Sequence, residues 1–181
     1  MFDYLKKHEQ IIITGPHRAG TTIATEMIAH DLNYECYLEE RVTLFGSCQA
    51  SINRNHRRNI KAVYQVPLLA SQCHKFPEYV AIIFMIRNVD EIIASEKRIN
   101  WGEPGVGNEV REMDKYCLHI ESFKEEWRKL PIATIKYKVW NEIQKKNIKF
   151  AYELEYNSLE KHNLWVPKEK RLDFGTRQTT I

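Results

Sequence analysis

The chain has 181 residues, with 27 Lys and Arg against 24 Asp and Glu and a formal net charge of +3. A single domain over residues 1–181 can bury roughly 70% of its unfolded surface, and 43% hydrophobic with 28% charged residues excludes disordered and collagen-like classes. The small, interspersed charge argues against a nucleic-acid partner but leaves room for a local basic pocket, and the apolar run Val80–Ile86 is too short to span a bilayer.

The N-terminal stretch MFDYLKKHEQ lacks the apolar segment of a signal peptide, so no membrane partner is expected. Cys36, Cys48, Cys73 and Cys117 form no C-x-x-C pair, and the seven histidines show no H-x-x-x-H spacing. Reduced thiols, a cytoplasmic location and no bound metal are therefore expected.

In chain order, the β-branched run Gln10–Thr14 predicts a strand, with Gly15, Pro16 and Gly20 forming a tight loop after it. From Thr22 the residues Ile23, Met27, Ile28 and Leu32 recur at helical spacing. Ala62–Val66 is a weaker strand candidate ended by Pro67, and Tyr79–Ile86 reads as a strand buried on both faces. Asn88 and Asp90 offer capping side chains for a helix over Glu91–Ile99. After the glycine-rich loop 101–108, Val110, Met113, Cys117, Ile120, Phe123 and Trp127 form an amphipathic stripe read as core packing. A further helix is predicted over Ile132–Lys146 and a strand over Ile148–Leu154, with no structure assigned to the polar tail from Lys168. Alternating strands and helices predict a three-layer α/β fold around a mostly parallel central sheet.

The first chemical motif is IIITGPHRAGTTIA, which sets G-x-x-x-x-G-T-T between a strand and a helix. Glycines let the backbone turn and aim successive N–H groups at one point, where the helix start adds partial positive charge. Arg18 adds a forked, permanent cation, and the Thr21 and Thr22 hydroxyls can complete a phosphate cradle. Thr21 stands where a magnesium-dependent nucleotide loop carries lysine. The competing structural reading is an ordinary strand-to-helix turn. In the second motif, a magnesium-binding enzyme calls for Asp at a later strand end, whereas VAIIFMI runs into Arg87-Asn88, with Ser95 eight residues after Arg87.

Together, GPHRAGTT and IRNVDEIIAS resemble the two nucleotide-binding motifs of the sulfotransferases, whose donor is 3′-phosphoadenosine 5′-phosphosulfate (PAPS). The resemblance implies a P-loop-like sulfotransferase architecture. It implies that His17, Arg18, Ala19, Gly20, Thr21 and Thr22 hold the 5′-phosphosulfate, and that Arg87 and Ser95 hold the 3′-phosphate. Weaker echoes are FAYELEYNSLEKHNLW and the basic RLDFGTRQT, so that Arg171 or Arg177 closes over the cofactor. The implied reaction is metal-independent, in-line sulfuryl transfer to a hydroxyl or amine on a small-molecule or carbohydrate acceptor, with Arg18 meeting the leaving charge.

The acceptor also needs a base. Where the steroid- and phenol-type members place histidine, this chain has Gln65, which takes no proton at neutral pH. Glu40, with Glu39 beside it, lies at the offset from Arg18 where heparan-type members carry a catalytic glutamate, and it is the expected base; His17 is a lesser candidate. The cluster Arg54, His56, Arg57, Arg58 and Lys61 reads as a solvated basic face, or alternatively as a patch attracting the anionic donor. Trp101 and the loop after it form a candidate lid. Two other classes stay open: a P-loop nucleotide or small-molecule kinase or nucleotide hydrolase, and a non-catalytic nucleotide-binding relative.

Overall fold

The computed structural model describes residues 1–39, 45–99 and 124–165. Among the described residues five strands form one sheet: β1 Gln10–Thr14, β2 Glu35–Tyr37, β3 Ala62–Gln65, β4 Ala81–Ile86 and β5 Ala151–Glu155. Their order is β2-β3-β1-β4-β5, and every pair is parallel. The central β1 registers Ile13 against Gln65 of β3 and Ile83 of β4. This is the α/β class expected from the sequence, with the glycine loop leaving the middle strand.

Alternation along the strands divides the core into two faces. Ile11, Ile13, Val63, Ile83 and Met85 pack under helix α1 (Thr21–Leu32), through Ala24, Met27 and Ile28. Ile92 of α3 (Val89–Ile99) joins the same cluster. On the other face Ile12, Tyr64, Ile82 and Phe84 meet Cys48 and Ile52 of α2 (Phe45–Arg57) and the ring of Trp140. Trp140 stacks on Phe84 at 4.5 Å between centroids, and its Nε1–H donates to Glu153 at 2.9 Å. β1 and β4 are apolar on both faces because helices cover both sides of a parallel sheet. Gln10 and Thr14 are the polar residues of β1, and Gln10 is tied down at its start. Its oxygen accepts from Tyr64 Oη at 2.7 Å, its amide donates to the Ile60 carbonyl, and Asn55 donates to the same phenol.

Several boundaries differ from expectation for local reasons. The helix predicted over 132–146 is α-helical as α4 (Ile132–Val139), then widens to a π turn at Trp140–Gln144 and tightens to a 3₁₀ turn at Lys145–Asn147. The π turn holds Gln144, whose amide donates to the Ala70 carbonyl. The last strand begins at Ala151, where pairing with Ile82 starts, rather than at Ile148. Asn88 caps α3 as expected, accepting from Asp90 N–H at 2.8 Å and Glu91 N–H at 3.3 Å. Most of the stripe from Val110 lies outside the described residues, as do Trp101 and the candidate lid. Trp127, its last member, occupies the 3₁₀ turn Glu125–Lys129 and is buried against Ile135 and Val139. Among the described residues no helix is long and apolar enough to cross a membrane.

Candidate functional site: a strand-end anion cradle

At the end of β1 the backbone passes through three unusual conformations within six residues. Gly15 has φ +142°, and a Cβ there would meet the Met85 backbone oxygen at 3.1 Å, so only glycine lies flush against β4. Arg18 has a positive φ of 65°, uncommon for a residue with a side chain. Gly20, at φ +93°, precedes α1, and a Cβ on it would stand 2.5 Å from the Tyr156 ring. The first intrahelical bond runs from Ala24 N–H to the Gly20 carbonyl. The N–H groups of Thr21, Thr22 and Ile23 therefore precede the helix ladder, at the positive end of the helix dipole.

The second motif closes on this loop from the adjacent strand. Arg18 Nε donates to the buried Ser95 Oγ at 3.2 Å. Arg87 Nη1 donates to the Arg18 carbonyl at 2.8 Å, and its Nε pairs with Glu91 at 3.0 Å. The Arg87 guanidinium also lies over the Tyr156 ring, 4.0 Å from its centroid, and the side chain is only 8% exposed. Tyr137 of α4 grips the Arg87 backbone at both ends, accepting from its N–H at 2.9 Å and donating to its carbonyl at 2.8 Å. Burial raises the Tyr137 phenol to about 12, so it remains a protonated donor.

Like charges crowd this end of the sheet. Burial, then the charges of Arg98 and Arg87, pushes the Arg18 guanidinium below its ordinary value, with Glu96 acting in the opposite direction. His17 is driven down to about 3 by burial, by the charge of Lys136 and by Arg18. It is a neutral imidazole at physiological pH, and its low basicity suits it poorly to accepting an acceptor's proton. A half-buried group of cations with loop N–H groups aimed nearby is chemically suited to an anion.

Opposite Arg87, Gln65 ends β3 and touches both loop threonines. Its Nε2 donates to Thr22 Oγ1 at 2.8 Å and Thr21 Oγ1 at 3.3 Å, while its Oε1 accepts the Glu39 N–H at 3.4 Å. This brings Glu39, just past β2, beside the loop. Arg18, Gly20, Thr21, Thr22, Arg87 and Ser95 thus meet in one place, with His17 and Ala19 on the same loop. Glu40, Arg171 and Arg177 lie outside the described residues. Of the other partners here, Glu91 was legible as the i+4 neighbour of Arg87. Tyr137 and the buried Lys136 gave no sequence signal, because only the tertiary fold carries them to the loop, and Tyr156 lies in the segment FAYELEYNSLEKHNLW without having been singled out there.

The basic cluster is not part of the site. Helix α2 runs back along the sheet, so Arg54, His56, Arg57, Arg58 and Lys61 sit at the strands' N-terminal ends, with His56 3.4 Å from Glu9. The alternative reading, a patch at the donor's door, fails on that geometry. A cavity of about 350 Å³ at that end, lined by Lys7, His8, Glu9, His56, Tyr79 and Phe150, mixes charges of both signs. His30, Asp31 and His162 bring three potential ligand atoms within 4.8 Å of one another. His162 Nδ1, however, accepts the Leu164 N–H at 3.1 Å, so Nε2 carries the proton and donates to Asp31 at 2.9 Å. That arrangement is a histidine–aspartate clamp between α1 and the segment after β5, and it uses the nitrogen a metal needs.

No family model and no curated protein matches the sequence. Among solved structures the chain is similar to shikimate kinase from Acinetobacter baumannii in complex with shikimate, at 13% identity over 83% of this chain and 86% of that chain, with a TM-score of 0.45.

Proposed function

We propose that the chain is a sulfotransferase-like enzyme that takes a sulfuryl group from PAPS and passes it to a hydroxyl or amine of a small-molecule or carbohydrate acceptor. One observation carries the reading: the Arg and Ser of the second motif both close on the Arg of the first, through the Arg18–Ser95 bond and the Arg87 bond to the Arg18 carbonyl. Of the strands flanking β1, β3 ends in Gln65 and β4 runs directly into Arg87, a donor amide and a cation, where a magnesium-dependent enzyme calls for a carboxylate.

PAPS, when bound, supplies a sulfuryl group already activated by its bond to phosphate. The loop N–H groups, Thr21 and Thr22 would hold the 5′ end, and Arg87 with Ser95 would hold the 3′-phosphate. Arg18 would stabilise the negative charge that develops on the departing phosphate, a charge greatest in the transition state. Glu40 would take the acceptor's proton and Arg177 would add a contact to the donor, the roles that the resemblance implies for them.

A second reading, a P-loop kinase acting on ATP, is favoured by Glu91, whose carboxylate already occupies Arg87 Nε. That carboxylate suits a ribose hydroxyl better than a 3′-phosphate. Calorimetry with 3′-phosphoadenosine 5′-phosphate, ADP and ATP, each with and without magnesium, separates the two. The sulfotransferase reading expects metal-independent preference for the bisphosphate. Tighter, magnesium-dependent ATP binding would replace it with the kinase reading.

A further inference from the structure

We propose that Gln65 is a positioning residue that fixes the polarity of the loop threonines, turning both hydroxyls into donors toward a bound anion. A threonine hydroxyl has one proton and two lone pairs. The Gln65 amide nitrogen has two protons, and it directs them at Thr21 Oγ1 and Thr22 Oγ1. With a lone pair of each oxygen so engaged, each O–H is left to donate away from Gln65.

The amide cannot reverse at no cost. Its oxygen accepts the Glu39 N–H, and a flipped amide would set donor against donor there while turning an acceptor toward the threonines. Gln65 is 6% exposed, so the loss would not be made good by bulk water. The same side chain ties Glu39, just past β2, to the loop after β1. A neutral amide at a place where a catalytic base is absent thereby has a role of its own.

This inference rests on reading the loop as an anion cradle, and holds whether the anion belongs to PAPS or to ATP. The test compares wild type, Gln65→Glu and Gln65→Met by calorimetry with inorganic pyrophosphate and with 3′-phosphoadenosine 5′-phosphate from pH 5 to pH 8. Circular dichroism checks that each variant is folded. A glutamate accepts from both hydroxyls and reverses them, so at pH 8 Gln65→Glu should bind both probes about 10- to 100-fold more weakly, the range for charge-assisted hydrogen bonds. Protonating that carboxyl restores one donor, so the variant-to-wild-type affinity ratio should recover as pH falls, and taking the ratio cancels the probe's own titration. Gln65→Met should lose about 3- to 10-fold with a ratio that does not change with pH.

Should Gln65→Glu not fold, the methionine variant decides: wild-type affinity in Gln65→Met overturns the assignment. A folded Gln65→Glu protein with wild-type affinity at pH 8, or with a pH-independent ratio, overturns it as well. Pyrophosphate binding carries this inference, whereas preference for the bisphosphate over ADP carries the sulfotransferase reading. The two therefore fail separately, and failure of wild type to bind either probe removes both.

Discussion

Replacing Arg87 with alanine tests the junction between the two motifs. Three contacts go at once: the bond to the Arg18 carbonyl, the stack on Tyr156 and the pair with Glu91. The carbonyl bond is worth about 1 kcal/mol and the cation–π contact about 0.5–2 kcal/mol. The Glu91 pair adds at most about 0.5 kcal/mol, because that carboxylate is 45% exposed and rehydrates freely. A loss of about 2–3 kcal/mol follows, a shift of about 1 M in the urea midpoint if the slope is about 2–3 kcal/mol per molar. Arg87→Lys keeps the charge but cannot fork between Glu91 and the loop carbonyl while lying flat on a ring, so it should recover less than half. In calorimetry, Arg87→Ala should lower affinity for 3′-phosphoadenosine 5′-phosphate about 10- to 100-fold, and affinity for ADP much less. A midpoint within about 0.2 M of wild type, together with an unchanged preference between the two nucleotides, would refute both the energetics and the role given to Arg87.

Three further outcomes are expected. His17 has its folded pKa depressed to about 3 from the ordinary 6.5, so below pH 6.5 the unfolded chain takes up a proton that the folded chain refuses, and stability falls toward pH 3. Urea titrations should show wild type losing about 2 kcal/mol more than His17→Gln between pH 7 and pH 5, and equal losses would count against a partly buried neutral imidazole. Gly20→Ala drives a Cβ into the Tyr156 ring and strains a φ of +93°, so it should lower stability by about 2 kcal/mol or more, and its cost measured in a Tyr156→Ala background should be smaller by the steric part only. Glu91→Gln frees Arg87 Nε and removes a competing charge. Affinity for the bisphosphate should rise about 2- to 5-fold at low salt, less at 0.5 M salt, with stability unchanged within about 0.5 kcal/mol; weaker binding would argue that Glu91 itself contacts the nucleotide.

The parts of the fold that were readable are those where local chemistry and burial agree. β1 and β4 are continuous apolar runs, α1 has helical spacing behind a glycine loop, and Asn88 caps α3 as its side chain suggests. β2 was not readable because it is a three-residue edge strand, Glu-Cys-Tyr, without an apolar run. Helix α2 was hidden by a polar sequence whose buried side chains are only Cys48, Ile52 and Asn55. At the site, Arg18, Arg87 and Ser95 were legible because they fall in two motifs, the loop after β1 and the strand-to-helix segment that follows β4 into α3. Gln65 was visible only as a residue unable to take a proton, since its bonds to Thr21, Thr22 and Glu39 span 26 to 44 residues of sequence. Tyr137 is likewise 50 residues from the backbone it grips.

The loop itself argues that this end of the sheet is built for a ligand rather than for stability. A turn selected only to join β1 to α1 would place glycine or asparagine at a positive φ, and it would keep cations apart. Here an arginine takes the strained position, partly desolvated, with Arg87 and Arg98 adding to its charge and Ser95 holding its Nε. Strain of this kind costs on the order of 1–3 kcal/mol and is typically retained at functional sites. An anion bound among the three arginines would relieve the repulsion and leave the strain in place. The stability gained on binding should therefore shrink as salt screens the arginines from one another and from the ligand, even for a probe as small as pyrophosphate. A salt-independent gain in melting temperature would mean that the backbone N–H groups, and not the crowded guanidinium groups, dominate the attraction.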